Sequence, residues 1–147
     1  MKIQTKLITC ILIFFLSTNL TKAQSTINEI TNEFFKVYEK NPKKAVDYIF
    51  STNNWMSREK NYDVENVKSQ LSNFIGLVGD YYGYEKITEK NLGESLKLVS
   101  YIIKYDRQPI RFTFLFYKPK DVWKIQNFKF DDNLDAEIEE SAKINNL

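Results

Sequence analysis

From Ser25 onward the hydrophobic residues follow two successive spacings, and the change divides the chain into a helical half and a stranded half. Ile27, Ile30, Phe34, Val37 and Tyr38 recur at steps of three and four within Ser25–Lys40, which places one apolar stripe on a helix. Thr26 with Glu29 three residues later has the form of a capping box, in which each side chain bonds the other's free backbone N–H. Asn41-Pro42 ends that helix and opens a second, since proline is pre-set for a first helical position and asparagine caps it. Ala45, Val46, Ile49 and Phe50 mark its buried side. Residues 52–62 (TNNWMSREKNY) show no period and read as a loop. Asp63 caps a third helix with Val64, Val67, Leu71, Phe74, Ile75 and Val78 on one face. Gly79 stands just past its end, where a left-handed residue is usual.

The period then falls to two. Tyr84–Leu92 reads as a strand, Asn91-Leu92-Gly93-Glu94 as a turn, and Leu96–Asp106 as a long strand rich in Val, Ile and Tyr. After a turn at Asp106-Arg107-Gln108-Pro109, Ile110, Phe112, Phe114 and Phe116 alternate with Arg111, Thr113, Leu115 and Tyr117. Pro119-Lys120-Asp121 turns the chain into a last strand, Val122–Phe130. There Trp123 and Ile125 share one parity while Phe128 and Phe130 share the other, so a bulge near Gln126-Asn127 is needed to bring all four to one face. The order predicts an α+β fold over residues 24–132: three N-terminal helices packed on a curved antiparallel meander, cone-shaped overall. The acidic stretch 133–147 has sparse apolar residues, a pattern that fits a frayed terminal helix or disorder equally well.

The first 23 residues stand outside this scheme. Lys2 and Lys6 precede a ten-residue apolar run, Leu7 to Leu16, and Thr21-Lys22-Ala23 supplies small residues at the positions a signal peptidase reads. The expectation is a signal peptide over 1–23, a mature chain beginning at Gln24, and a periplasmic or secreted protein. A run of ten is well short of the roughly 20 apolar residues of a membrane span. Cys10 does not make a lipoprotein signal, because most of the apolar run follows it rather than preceding it.

Composition sharpens this picture chiefly by exclusion. The full chain of 147 residues has 21 basic and 19 acidic residues, no histidine and one cysteine. Losing residues 1–23 removes Lys2, Lys6 and Lys22 together with Cys10, which leaves a slightly acidic protein without cysteine. Folding then rests on core burial alone. Histidine-based triads, histidine metal sites and Cys-rich zinc sites are excluded. No cofactor and no metal site are expected. Lysines interleave with acids, as in Glu85-Lys86 and Glu89-Lys90, so nucleic acid is not an expected partner, nor is a membrane after leader cleavage.

The sequence of elements resembles the nuclear-transport-factor-two-like superfamily, also called the cystatin-like or ketosteroid-isomerase-like α+β cone. The resemblance is carried by Phe34-Phe35 within NEFFKVYEKN, by the short second helix PKKAVDYIF and by the closing strand VWKIQNFKF, where Trp123-Lys124-Ile125 and Phe128 match a frequent pattern. It covers roughly residues 25–132. Enzymes of this superfamily usually place Asp, His or Tyr in the cone, whereas this chain has no histidine. Fold membership therefore implies little about chemistry.

Two kinds of candidate site follow. Tyr81, Tyr82 and Tyr84 surround Gly83 at the handover from helices to sheet. With Trp55 in the irregular segment and Phe114 in the third strand, they are the candidate lining of a cone mouth for a small apolar ligand. Aromatics that simply fill a sheet–helix core explain the same pattern, as does a Trp55 that plugs the cone. The second candidate is a sheet surface. Val99, Tyr101, Ile103 and Tyr105 share one face of their strand and Leu96, Leu98 and Ile102 the other, while Leu115 and Tyr117 oppose the phenylalanine row. Both faces are thus apolar, where a sheet covered on one side usually turns a polar face outward. Tyr101, Ile103, Tyr105, Leu115 and Tyr117 are the expected interface of a homodimer, the arrangement the resemblance also implies. Catalysis would need a carboxylate in an apolar pocket or a positioned tyrosine. Asp80 reads as a helix-end residue, Asp47 as part of a solvated face and Asp131-Asp132 as a solubilising strand end. A binding protein is the leading expectation, and a histidine-free isomerase- or dehydratase-like enzyme using Tyr and Asp is the alternative.

Overall fold

A computed structural model describes residues 25–144; the signal peptide expected over 1–23 therefore lies outside the described residues. The elements are α1 (Ile27–Tyr38), α2 (Pro42–Ser51), α3 (Asn54–Glu59), α4 (Asn61–Val78), β1 (Tyr81–Leu92), β2 (Leu96–Tyr105), β3 (Ile110–Tyr117), β4 (Lys124–Asp131) and α5 (Leu134–Ile144). The strands form one antiparallel sheet in the order β1-β2-β3-β4. This is the α+β arrangement of helices followed by a curved meander.

Three local signals act as their chemistry requires, whereas Asp63 is no cap: it lies in the first turn of α4, which begins at Asn61 because α3 runs up to the Lys60 turn. Thr26 Oγ1 accepts from the Glu29 N–H at 3.2 Å, and the Glu29 carboxylate accepts from the Thr26 N–H at 2.7 Å, completing the capping box. Asn41 Oδ1 accepts from the Lys44 N–H at 3.0 Å ahead of Pro42. Gly79 ends α4 at φ 89°, and a β-carbon there would stand 2.9 Å from Asp106 Cβ, so both backbone angle and space call for glycine.

Residues 52–62 are not a loop. They form the C-cap of α2, all of α3 and the start of α4, which raises the helices before the sheet from three to four. Apolar spacing missed α3 because a six-residue helix with no fully buried side chain leaves no stripe. Its position is set by tertiary hydrogen bonds instead. Asn53, 3% exposed, donates from Nδ2 to the Ile125 carbonyl at 2.7 Å, and the Ile125 N–H donates to Thr52 Oγ1 at 3.0 Å. The α2–α3 corner is thereby clipped to the free edge of β4 next to its bulge.

That bulge lies where strand parity required it. Leu115 pairs with Asn127 and Phe116 with Ile125, so Gln126 is the extra residue, and Ile125 and Phe128 both reach the core. A second irregularity between Lys86 and Thr88 sets Ile87 out of register in β1.

The core lies between α1 and the inner face of the sheet. Phe34, Phe112, Phe114 and Phe116 are fully buried. Phe34 meets Phe114 edge-on at 5.0 Å between centroids, and Phe114 stacks on Phe128 at 5.0 Å. Phe35 stacks on Tyr84 at 3.7 Å. Rings packed edge-to-face and offset add to the gain from area burial. The interior of the cone is filled by these rings.

Candidate functional site

The tyrosines around Gly83 come together, but over a shallow hollow. Tyr81, Tyr82, Gly83, Tyr84, Glu39 and Lys104 surround an open depression of about 500 Å³. Tyr84 and Tyr81 turn their rings into the core, Tyr84 onto Phe35 and Tyr81 edge-on to Tyr38 at 5.6 Å. Tyr82 is exposed, and its hydroxyl lies 3.4 Å from Asp106 Oδ1. Burial pushes the Tyr81 hydroxyl up to about 12, away from any acid–base role near neutrality.

Phe114 does not line this hollow. It is wholly buried beneath Phe34 and Phe128, so its place among ligand-binding residues is corrected to the core. Trp55 is separate again. It stands 53% exposed at the rim of a groove of about 350 Å³, whose floor includes Phe50, Met56, Val64, Val67 and Phe128. The Lys60 ammonium lies 5.9 Å from the Trp55 ring centroid.

The proposed interface divides between the two faces of the sheet. Tyr101, Ile103 and Tyr105 lie on the inner face and are buried against α1, so they belong to the core. The two tyrosine hydroxyls explain the difference. Tyr101 donates to Thr31 Oγ1 at 3.0 Å, and the Tyr105 hydroxyl meets that of Tyr38 at 2.5 Å. Tyrosines that look suited to a wet surface are thus satisfied inside by polar groups of a helix. Burial, and then the neighbouring Tyr105, hold the Tyr38 hydroxyl far above its ordinary range; burial likewise raises Tyr105, opposed by its bond to Tyr38.

Leu115 and Tyr117 do lie on the outer face, and the register supplies their neighbours. Leu96 is opposite Tyr117, Leu98 opposite Leu115, and Ile102 opposite Arg111. Leu92 of β1 pairs with Leu96 and is 74% exposed. Leu96, Leu98, Ile102 and Leu115 are half-buried, Ser100 between Leu98 and Ile102 is buried, and Tyr117 is exposed. Ion pairs border the stripe at one end, Lys104 with Glu85 at 2.9 Å and Arg111 with Asp131 at 2.9 Å. Leu96, Leu98 and Ile102 were legible as an apolar row; what sequence reasoning lacked was which row faces the helices.

Among the described residues, the buried side chains with polar groups, apart from the tyrosines, are Thr31, Asn53 and Ser100, and none is ionisable near neutrality. No group of three or more acidic or cysteine side chains among the described residues has a metal-binding arrangement. No described helix is long and apolar enough to cross a membrane. Comparison of the chain with family models, with characterised proteins and with solved structures found no match.

Proposed function

We propose that this chain is an exported, non-enzymatic binding protein of the cone-fold superfamily that engages a protein through the outer face of its sheet, a second copy of itself being the first candidate. The observation that carries the reading is the half-buried stripe of Leu96, Leu98, Ile102 and Leu115 on the face turned away from α1, continued by exposed Leu92 and Tyr117. Leaving such a stripe in water forgoes roughly 25 cal/mol for each Å² that a partner could cover. A small ligand inside the cone is the weaker reading, because the aromatic core occupies that space. The enzymatic alternative is weaker still. It needs a carboxylate in an apolar pocket or a tyrosine placed to donate, and the buried Tyr38, Tyr101 and Tyr105 hydroxyls are engaged with one another or with Thr31.

Analytical ultracentrifugation of the wild-type chain and of Leu98→Glu tests the reading. The expected result is a reversible dimer at tens of micromolar for the wild type and a folded monomer for the variant. A wild-type monomer at every concentration, with no capture of a partner that Leu98→Glu abolishes, would set the proposal aside. Export is tested by mass: the chain recovered outside the producing cell should begin at Gln24. The Trp55 groove supports a second, small-molecule reading, which ligand-dependent Trp55 fluorescence in a Trp123→Phe background would support.

A further inference from the structure

We infer that the groove beside Trp55 is a binding site for an uncharged amphiphile, a small molecule with an apolar body and a hydroxyl, carbonyl or amide head. The inference rests on the small-molecule reading of that groove and adds the chemical class of its ligand. It is independent of the outer face of the sheet.

Three parts of the chain meet at the groove: the end of α2 with α3, the first turns of α4, and the bulge of β4. The hydrogen bonds that join Thr52 and Asn53 to Ile125 fix the wall carrying Trp55 and Met56 against β4. A volume of about 350 Å³ falls at the low end of the roughly 300–1,000 Å³ of small-molecule sites. The groove lies outside the ring-filled interior and shares with the core Phe50, Val64 and Phe128, each at most 4% exposed. Met56 and Val67 are half-buried, and Trp55 is the large apolar side chain on this rim left in water. Methionine is unbranched and polarisable, so this wall adapts to the body laid against it. An apolar body in the groove covers the Trp55 ring together with the floor, and is held in proportion to the area it removes from water.

The rim decides the head group. It carries one cation and one anion, Lys60 and Asp63, 3.7 Å apart, and Lys60 also lies over the Trp55 ring. A carboxylate head would gain Lys60 but stand beside Asp63, and an ammonium head would meet the reverse. Either would give up hydration for an exposed, screened pairing that returns little. The hydrogen-bonding capacity left over is uncharged. Gln126 and Asn127 both stand on the rim, because the bulge puts two residues rather than one between Ile125 and Phe128. Both are exposed, and their side-chain amides have no hydrogen-bond partner among the described residues. Each amide offers a carbonyl acceptor and an NH2 donor, the complement of a neutral polar head.

The test compares n-octanol, octanoate and octylammonium at pH 7 on the Trp123→Phe protein, whose only tryptophan is Trp55. Octanol is expected to shift Trp55 emission to the blue saturably, with both charged probes binding about tenfold more weakly or worse. Val67→Phe fills the groove and should remove the octanol response while circular dichroism shows an unchanged fold. Gln126→Leu combined with Asn127→Leu should reduce the advantage of octanol over octanoate several-fold. No saturable response to any of the three probes overturns both the groove as a ligand site and the assignment of its ligand. Octanoate or octylammonium binding as tightly as octanol overturns the uncharged head and leaves the groove as a site. An octanol response that survives Val67→Phe places the probe elsewhere and overturns the inference. The comparison among probes needs no groove variant, so it decides the head group even where Val67→Phe fails to fold.

Discussion

The two faces of β3 differ far less in sequence than in fate. Phe112, Phe114 and Phe116 point inward and are wholly buried, while Thr113 and Leu115 between them are only half-buried and Tyr117 is exposed. On β2 the contrast runs against intuition, since the tyrosine-bearing row is buried and the leucine-bearing row is half-exposed. The difference is made by α1, which offers Thr31 and Tyr38 as hydrogen-bond partners to Tyr101 and Tyr105. Hydrophobicity alone does not choose the covered face. The face is chosen by which set of side chains can be satisfied completely, polar tips included, against the helix that packs there.

The contrast is open to attack at several points. The largest effect is expected for Phe114→Ala, which removes a ring packed on all sides and should cost about 3–5 kcal/mol in urea unfolding, whereas adjacent Leu115→Ala should cost the monomer under about 1 kcal/mol. Equal losses would mean that the outer face is already covered. Next, Tyr38→Phe leaves the Tyr105 hydroxyl buried without a partner and should cost about 1–3 kcal/mol.

The same pair sets an alkaline limit. Both hydroxyls titrate above their unfolded value of about 10, so their contribution is complete below that pH and is lost as pH rises through the folded values. Unfolding followed from pH 8 to 12 should show stability falling beyond pH 10, with a shallower fall in Tyr38→Phe. A slope unchanged by the substitution would break the link to this pair.

Leu98→Ser, on the outer face, should leave monomer stability within about 1 kcal/mol while weakening self-association by about tenfold or more in sedimentation. The smallest effect is expected at the rim. Lys97, then Lys86, hold the Glu89 carboxyl below its ordinary range. Its contribution is therefore present above the unfolded value and is lost as pH falls through the folded one. Glu89→Gln should cost about 0.5 kcal/mol at pH 7 and flatten the acid limb of the stability curve. An acid limb identical to wild type would place the acid sensitivity elsewhere.

Much of the fold was legible because it is encoded at short range. Thr26-x-x-Glu29, Asn41-Pro42 and Gly79 mark element ends through contacts within four residues, and each acts as its spacing requires. The bulge at Gln126 was legible too, because a parity break between Ile125 and Phe128 has no other solution if both are to reach the core. Helix α3 was not legible, since its anchor joins Asn53 to Ile125, partners 72 residues apart. Of the candidate site residues, Leu115 and Tyr117 fell on the exposed face, Trp55 at a groove rim, and Phe114, Tyr101, Ile103 and Tyr105 in the core. Leu96, Leu98 and Ile102 were legible as an apolar row, and strand pairing joins them to Leu115 and Tyr117 in one outer stripe.

By itself, then, the amino-acid sequence determined the class of elements, their order, the two rows on each strand and the absence of histidine chemistry. These depend on period, on local capping and on residue inventory. The tertiary structure alone decided which row became the core, that the cone is filled by rings, and that a leucine-bearing row bordered by lysines faces away from α1. Those outcomes depend on long-range complementarity between α1 and the sheet, which no local spacing contains.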